Sequence, residues 1–193
     1  MPRLSIVKVR CEKDVNSYVL LDADTREAVV IDPGEPAEKI AEQLDGAVVR
    51  WIVGPHGHPG HLAGKDALRE RFPDAASALH MADAKPVLRS ADRYLLDGDL
   101  LEFGGFALRV LYTPGHTPGS LCFVVANHLF TGDTLLAGGL GKQMPGTDLR
   151  QQLMSIGSAF AGLALSTAVY PGHGPVTSLE NELRTNPYLR GPG

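Results

Sequence analysis

The amino-acid sequence predicts an α/β sandwich, two β-sheets packed face to face with helices outside. Both halves of the chain carry several short strand-like runs, and both also carry segments with a helical apolar stripe. No repeat, linker or low-complexity tract divides them, so the 193 residues are expected to form one domain over 1–193. A sheet with an apolar face and a helix with an apolar stripe bury those surfaces by stacking in layers.

In the first half, residues 4–9, 17–22 and 28–32 read as short strands separated by polar residues. Asp32-Pro33-Gly34 stops the third. Residues 36–45 place Ala37, Ile40, Ala41 and Leu44 on one helical face. The run 48–53 is apolar apart from Arg50, as a buried strand would be. Residues 64–72 put Gly64, Leu68 and Phe72 on one side of a helix, and 78–81 reads as another short strand. In the second half the strand-like runs are 101–103, 107–112, 121–125 and 128–130, each broken by Gly, Pro or Asn. Residues 148–163 make the clearest helix, with Leu149, Leu153, Ile156, Phe160 and Leu163 at helical spacing. A last strand over 167–170 and a last helix over 178–186 complete the order.

Composition narrows the function classes. Hydrophobic residues make up 44% and charged residues 21%, ordinary values for a soluble globular protein. A formal charge of −4 removes any broad electrostatic reason to bind nucleic acid or an anionic membrane. No apolar run approaches a membrane span, and the start of the chain has no signal-peptide core. Cys11 and Cys122 are too few for a disulfide framework, so a reducing cytoplasm is the expected compartment. The expected partner is a small-molecule substrate; oligomeric state is not legible.

Five of the seven histidines lie in short loops after predicted strands. The loops are Gly54-Pro55-His56-Gly57-His58-Pro59-Gly60-His61, Thr113-Pro114-Gly115-His116-Thr117-Pro118-Gly119, Phe130-Thr131-Gly132-Asp133-Thr134 and Tyr170-Pro171-Gly172-His173-Gly174-Pro175. Glycines around a polar residue at a strand end let the backbone turn sharply and bring side chains to a shared point. Imidazole nitrogen and carboxylate oxygen suit Zn²⁺. Taken singly, His116 and His173 read as ordinary surface residues, and Asp133 beside Gly132 as a turn residue. Chance rarely places three of seven histidines within six residues, so the first loop reads as a metal loop. His80 and His128 lack such surroundings and read as structural.

The ordered set His-x-His-x-x-His, Thr-Pro-Gly-His-Thr-Pro-Gly-Ser, Thr-Gly-Asp-Thr-Leu and Tyr-Pro-Gly-His-Gly-Pro resembles the metallo-β-lactamase superfamily. Asp32-Pro33-Gly34 and Asn186-Pro187-Tyr188 extend the likeness over nearly the whole chain. It is most similar to short, single-domain members of the glyoxalase II (hydroxyacylglutathione hydrolase) branch, through Gly132-Asp133-Thr134-Leu135, Gly141-Lys142 and Gly146-Thr147. The resemblance implies an αββα sandwich of two mixed sheets. It also implies one metal held by His56, His58 and His116, a second by His61 and His173, and Asp133 bridging both. The implied chemistry is attack of a metal-bound hydroxide on a thioester or related acyl carbon. Lys142 matches a lysine that holds a glutathione carboxylate in that branch; its other reading is a solvated surface lysine. The implied cofactor is Zn²⁺, with Fe and Mn as alternatives.

Gly60 stands where the family pattern has an aspartate that ligates the second metal, so one firm and one weak, absent or displaced ion is expected. A natural one-metal variant, an engineered substitution and loss of hydrolysis all fit that glycine. Pro55 replaces a frequent threonine, and Met144 replaces a tyrosine that binds substrate in longer enzymes. Two other readings stay open. One is a mononuclear-iron dioxygenase resembling persulfide dioxygenase, with iron on His56, His116 and Asp133. The other is an impaired or non-enzymatic metal-binding protein of the same fold.

Overall fold

The structure, a computed structural model, describes residues 2–84 and 91–190. Its first sheet runs β1 (Leu4–Arg10), β2 (Asn16–Asp22), β3 (Glu27–Ile31), β4 (Val48–Val53), β5 (Ala76–Leu79) and β6 (Arg93–Tyr94) in chain order. β1, β2 and β3 pair antiparallel, whereas β3 to β6 pair parallel. The second sheet has β7 (Leu100–Phe103), β8 (Phe106–Tyr112), β9 (Leu121–Val125), β10 (His128–Gly132), β11 (Ala168–Pro171) and β12 (Thr177–Ser178), again in order. Only β10 and β11 are parallel there. Both sheets are therefore mixed, as the resemblance implies.

Period-2 alternation builds three layers of core. Tyr18, Leu20, Val29 and Ile31 point inward against Leu101, Phe103, Leu108, Val110, Leu121, Phe123 and Phe130 of the other sheet. Their neighbours Val19, Ala28, Val30 and Ile52 point outward and lie under Ile40 of α1 (Ala37–Ala41) and Leu68 of α3 (Lys65–Arg71). Cys122, Val124 and Val169 do the same on the far side, beneath Ile156 and Phe160 of α5 (Leu149–Phe160) and Leu179 of α6 (Leu179–Thr185). Both faces of the central strands are covered, which is why they read as unbroken apolar runs rather than alternating ones. Fully burying one such side chain contributes about 1.5–3 kcal/mol.

Several element expectations shift. The run 36–45 divides into α1 and a 3₁₀ turn at Glu42–Leu44. Residues 78–81 are not one strand: β5 ends at Leu79, and Met81 opens α4 (Met81–Ala84). Val48 is exposed, because it starts the strand beyond the layers that cover Ile52 on one face and Val53 on the other. Asp148 and Ser178 lie outside their helices as caps, their side chains accepting from Gln151 N at 2.7 Å and Asn181 N at 3.2 Å. The structure adds the two-residue strands β6 and β12, and α2 (Pro59–Leu62) inside the histidine loop. No helix among the described residues is long and apolar enough to cross a membrane.

Candidate metal centre

Strand register delivers the side chains. Gly132 pairs with Pro171 on parallel β10 and β11, so Asp133 and the His173 loop leave the second sheet side by side. Ile31 pairs with Val53 on parallel β3 and β4, so Asp32 and the triple-histidine loop leave the first sheet together. The carboxyl ends of parallel strands are where α/β folds habitually place their sites. The β8–β9 loop adds His116. Gly172 permits the close approach: a β-carbon there would lie 2.6 Å from Asp133 Oδ1 and 2.9 Å from His61 Cε1.

One carboxylate oxygen sits at the focus. Asp133 Oδ2 lies 3.6 Å from both His116 Nε2 and His173 Nε2, 3.7 Å from His61 Nε2 and 3.9 Å from His56 Nε2. His116 Nε2 faces His58 Nδ1 at 3.1 Å, and His61 Nε2 faces His173 Nε2 at 3.1 Å. Tetrahedral zinc with bonds of about 2.0–2.2 Å separates its ligands by about 3.3–3.6 Å, close to this spacing. The nitrogens of His56 and Asp133 Oδ1 are buried without a protein partner, as donors that await an ion are. Among the described residues, three groupings could hold a metal: His56, His58, His116 and Asp133; His61, Asp133 and His173; and Asp32, His56 and His61. The donor set therefore fits a dication, and all six ligand positions expected from the sequence converge on one spot.

Outer contacts fix which nitrogen faces inward. The Lys142 carbonyl accepts from His116 Nδ1 at 2.7 Å, and the Asp14 carbonyl from His173 Nδ1 at 3.0 Å. Asp32 Oδ1 pairs with His61 Nδ1 at 2.6 Å. Each contact leaves Nε2 free for metal. Burial, then the neighbouring imidazoles, push His56 well below its ordinary pKa, and burial likewise lowers His58 and His116. These three favour the neutral, ligating form. Burial also disfavours the charged form of His61, but Asp32 and Asp133 outweigh it and raise that residue. Burial raises the carboxyl of Asp32.

Two further carboxylates belong to the site, and the sequence motifs do not single them out as ligands. Asp32 had a visible sign, an Asp-Pro-Gly directly after a strand. Asp83 had none, yet it is buried and joins two metal loops. Its Oδ2 accepts from Gly57 N at 2.8 Å and Thr117 Oγ1 at 2.6 Å, and its Oδ1 from Gly119 N at 2.8 Å. The Lys142 side chain is exposed, and Met144 lines a small cavity of about 200 Å³ beside His58 and Thr117. His80 stacks on Tyr112 and His128 bonds to the Tyr170 hydroxyl, both away from the cluster. Gly60, in α2, is not demanded by packing: a β-carbon there would meet only Lys13 Cδ and Val15 Cγ2, both at 3.7 Å.

Known proteins share this arrangement of sheets. The chain is 34% identical over 187 residues to the mitochondrial persulfide dioxygenase ETHE1 of Bos taurus, covering 90% of this chain and 70% of that one. It is 32% identical over 176 residues to a hydroxyacylglutathione hydrolase of Pelagibacter ubique, covering 88% and 71%. The crystal structure of the BLEG-1 B3 metallo-β-lactamase superposes with a TM-score of 0.86 at 30% identity, over 97% of this chain and all of the other. The family model described as the metallo-β-lactamase superfamily matches residues 12–184. With that span and these relatives, the chain belongs to the metallo-β-lactamase superfamily.

Proposed function

We propose that the protein is a metal-dependent hydrolase of thioesters, of the hydroxyacyl-glutathione kind, or of related acyl compounds. His56, His58, His116 and Asp133 would hold one zinc ion firmly. His61 and His173, sharing Asp133, would hold a second more weakly, because Gly60 contributes no carboxylate. The observation that carries this reading is the paired His61 and His173 nitrogens, 3.1 Å apart and 3.6–3.7 Å from Asp133 Oδ2. A single facial-triad iron would employ only His56, His116 and Asp133 and leave this second pair idle.

When bound, the ion lowers the pKa of water towards about 7 and polarises an acyl oxygen. Asp133 spans both sets of imidazoles and would orient the attacking water between them. Asp32, through His61, and the Asp14 carbonyl, through His173, hold the second set in place. Lys142 would face the thiol portion of the substrate, since its backbone is anchored on His116. Buried, unpaired Cys11 and Cys122 fit a cytoplasmic location.

The second reading, persulfide oxidation at one iron, is supported by the 34% identity to the bovine dioxygenase and by the missing carboxylate at Gly60. Metal analysis of protein purified without a histidine tag, followed by paired assays, separates the two. Bound zinc with cleavage of S-lactoylglutathione is the expected result. Bound iron with oxygen uptake on glutathione persulfide, and no thioester cleavage, would replace the hydrolase reading.

A further inference from the structure

A cavity of about 640 Å³ opens beside His173, lined by Lys8, Arg10, Lys13, Asp14, Asn16, Gly174 and Pro175 as well. Three cations face one carboxylate there, in a chain whose formal charge is −4. Arg10 and Asp14 pair at 2.5 Å, but both are largely exposed, so water weakens what that pair neutralises. Lys8 Nζ donates to the Gly174 carbonyl at 2.7 Å, which leaves its charge uncompensated. A positive hollow of this kind concentrates anions.

The hairpin between β1 and β2 sets this charge beside the metal centre. Lys13 and Asp14 both adopt left-handed backbone, with φ of 54° and 58°, which side-chain-bearing residues disfavour. The tip is nonetheless held: Asp14 accepts from His173 Nδ1, Val15 bridges to His173, and Asn16 N donates to the Gly172 carbonyl at 2.7 Å. The Lys13 stem consequently runs past Gly60, its Cδ 3.7 Å from where a β-carbon would stand. A carboxylate at position 60 would lie within reach of that lysine. Glycine leaves the ammonium for another anion.

We propose that Lys8, Arg10 and Lys13 form an anion subsite beside His173, kept open by Gly60, which takes the free carboxylate of a dicarboxylic monothioester. Lys142 is anchored on His116, at the opposite set of ligands, so the thiol portion would lie there and the acyl portion would extend towards Lys13. The choice of an acyl carboxylate rests on the hydrolase reading; anion capture by the three cations does not.

The test compares the S-phenyl monothioester of succinate with S-phenyl thiobutyrate, its uncharged counterpart, on zinc-loaded protein. KM for the succinyl compound should be about tenfold the lower, a difference that Lys13→Gln brings close to one. Sulfate, compared with chloride at equal ionic strength, should raise the melting temperature of the parent protein more than that of Lys13→Gln. A KM ratio that Lys13→Gln leaves unchanged overturns the proposal, whatever sulfate does. Cleavage of neither thioester ends the hydrolase reading, and the subsite is then decided by sulfate alone. Equal sulfate shifts in the two proteins would overturn it, and Lys8→Gln repeats the comparison should Lys13→Gln fold poorly.

Discussion

Position 60 concentrates the chemistry of single residues in this protein. His56, His58, His116 and Asp133 form a complete four-donor set without it, whereas the second set has two imidazoles and only a share of Asp133. Nothing in the backbone requires glycine, and a β-carbon would make only ordinary contacts with Lys13 and Val15. A carboxylate can therefore be introduced there without backbone strain. Gly60→Asp should raise bound zinc from about one to about two ions per chain and tighten the second ion by at least the 10–100-fold that even an outer-sphere partner of a ligand contributes. Equilibrium dialysis with metal analysis checks this. A stoichiometry that stays at one would show that His61 and His173 do not constitute an ion site.

At the scale of elements, loops converge because parallel strands deliver them and because Asp83 ties two of them together. Asp83→Ala would leave Gly57 N, Gly119 N and the Thr117 hydroxyl without their acceptor in a buried place. The expected cost is about 3 kcal/mol of stability, with weaker zinc binding because His58 and His116 flank the severed contacts. Asp83→Asn keeps one acceptor oxygen and should lose about half as much. Urea denaturation of both variants measures the difference; a wild-type midpoint in Asp83→Ala would remove the tie from the account. This element also shows where sequence reading stops. The strands 48–53 and 121–125 were legible in full because apolar runs bounded by turns have one physical explanation. The histidine loops were legible because Gly and Pro isolate each ligand. Asp83 was not, since its role arises only when α4 meets the β8–β9 loop across the fold. β6 and β12 are too short to carry a period, and Pro59-Gly60 concealed α2. Residues 85–90 lie outside the described chain, and the expected strand over 78–81 failed because apolar character continues past Leu79 into a helix.

For the whole molecule, the sandwich buries imidazoles at its rim and so couples folding to protons and to metal. His56, His58, His116, His80 and His128 are all held below the ordinary histidine value of 6.5, chiefly by burial. The unfolded chain therefore binds more protons than the folded one just below pH 6.5, and stability that is present above that pH is lost as the pH falls through it. His61, raised by Asp32 and Asp133, and Asp32, raised by burial, act in the opposite sense, but they are two groups against five. Zinc requires three of these imidazoles, His56, His58 and His116, in the neutral form, so protons compete with it and sharpen the dependence. Metal-stripped protein should melt at a lower temperature at pH 5.5 than at pH 7.5. Zinc-saturated protein should melt higher than the stripped form at pH 7.5 and lose most of that advantage at pH 5.5. Scanning calorimetry of both forms at the two pH values provides the comparison. A zinc advantage that persists undiminished at pH 5.5 would mean that the ion is held by groups other than these histidines.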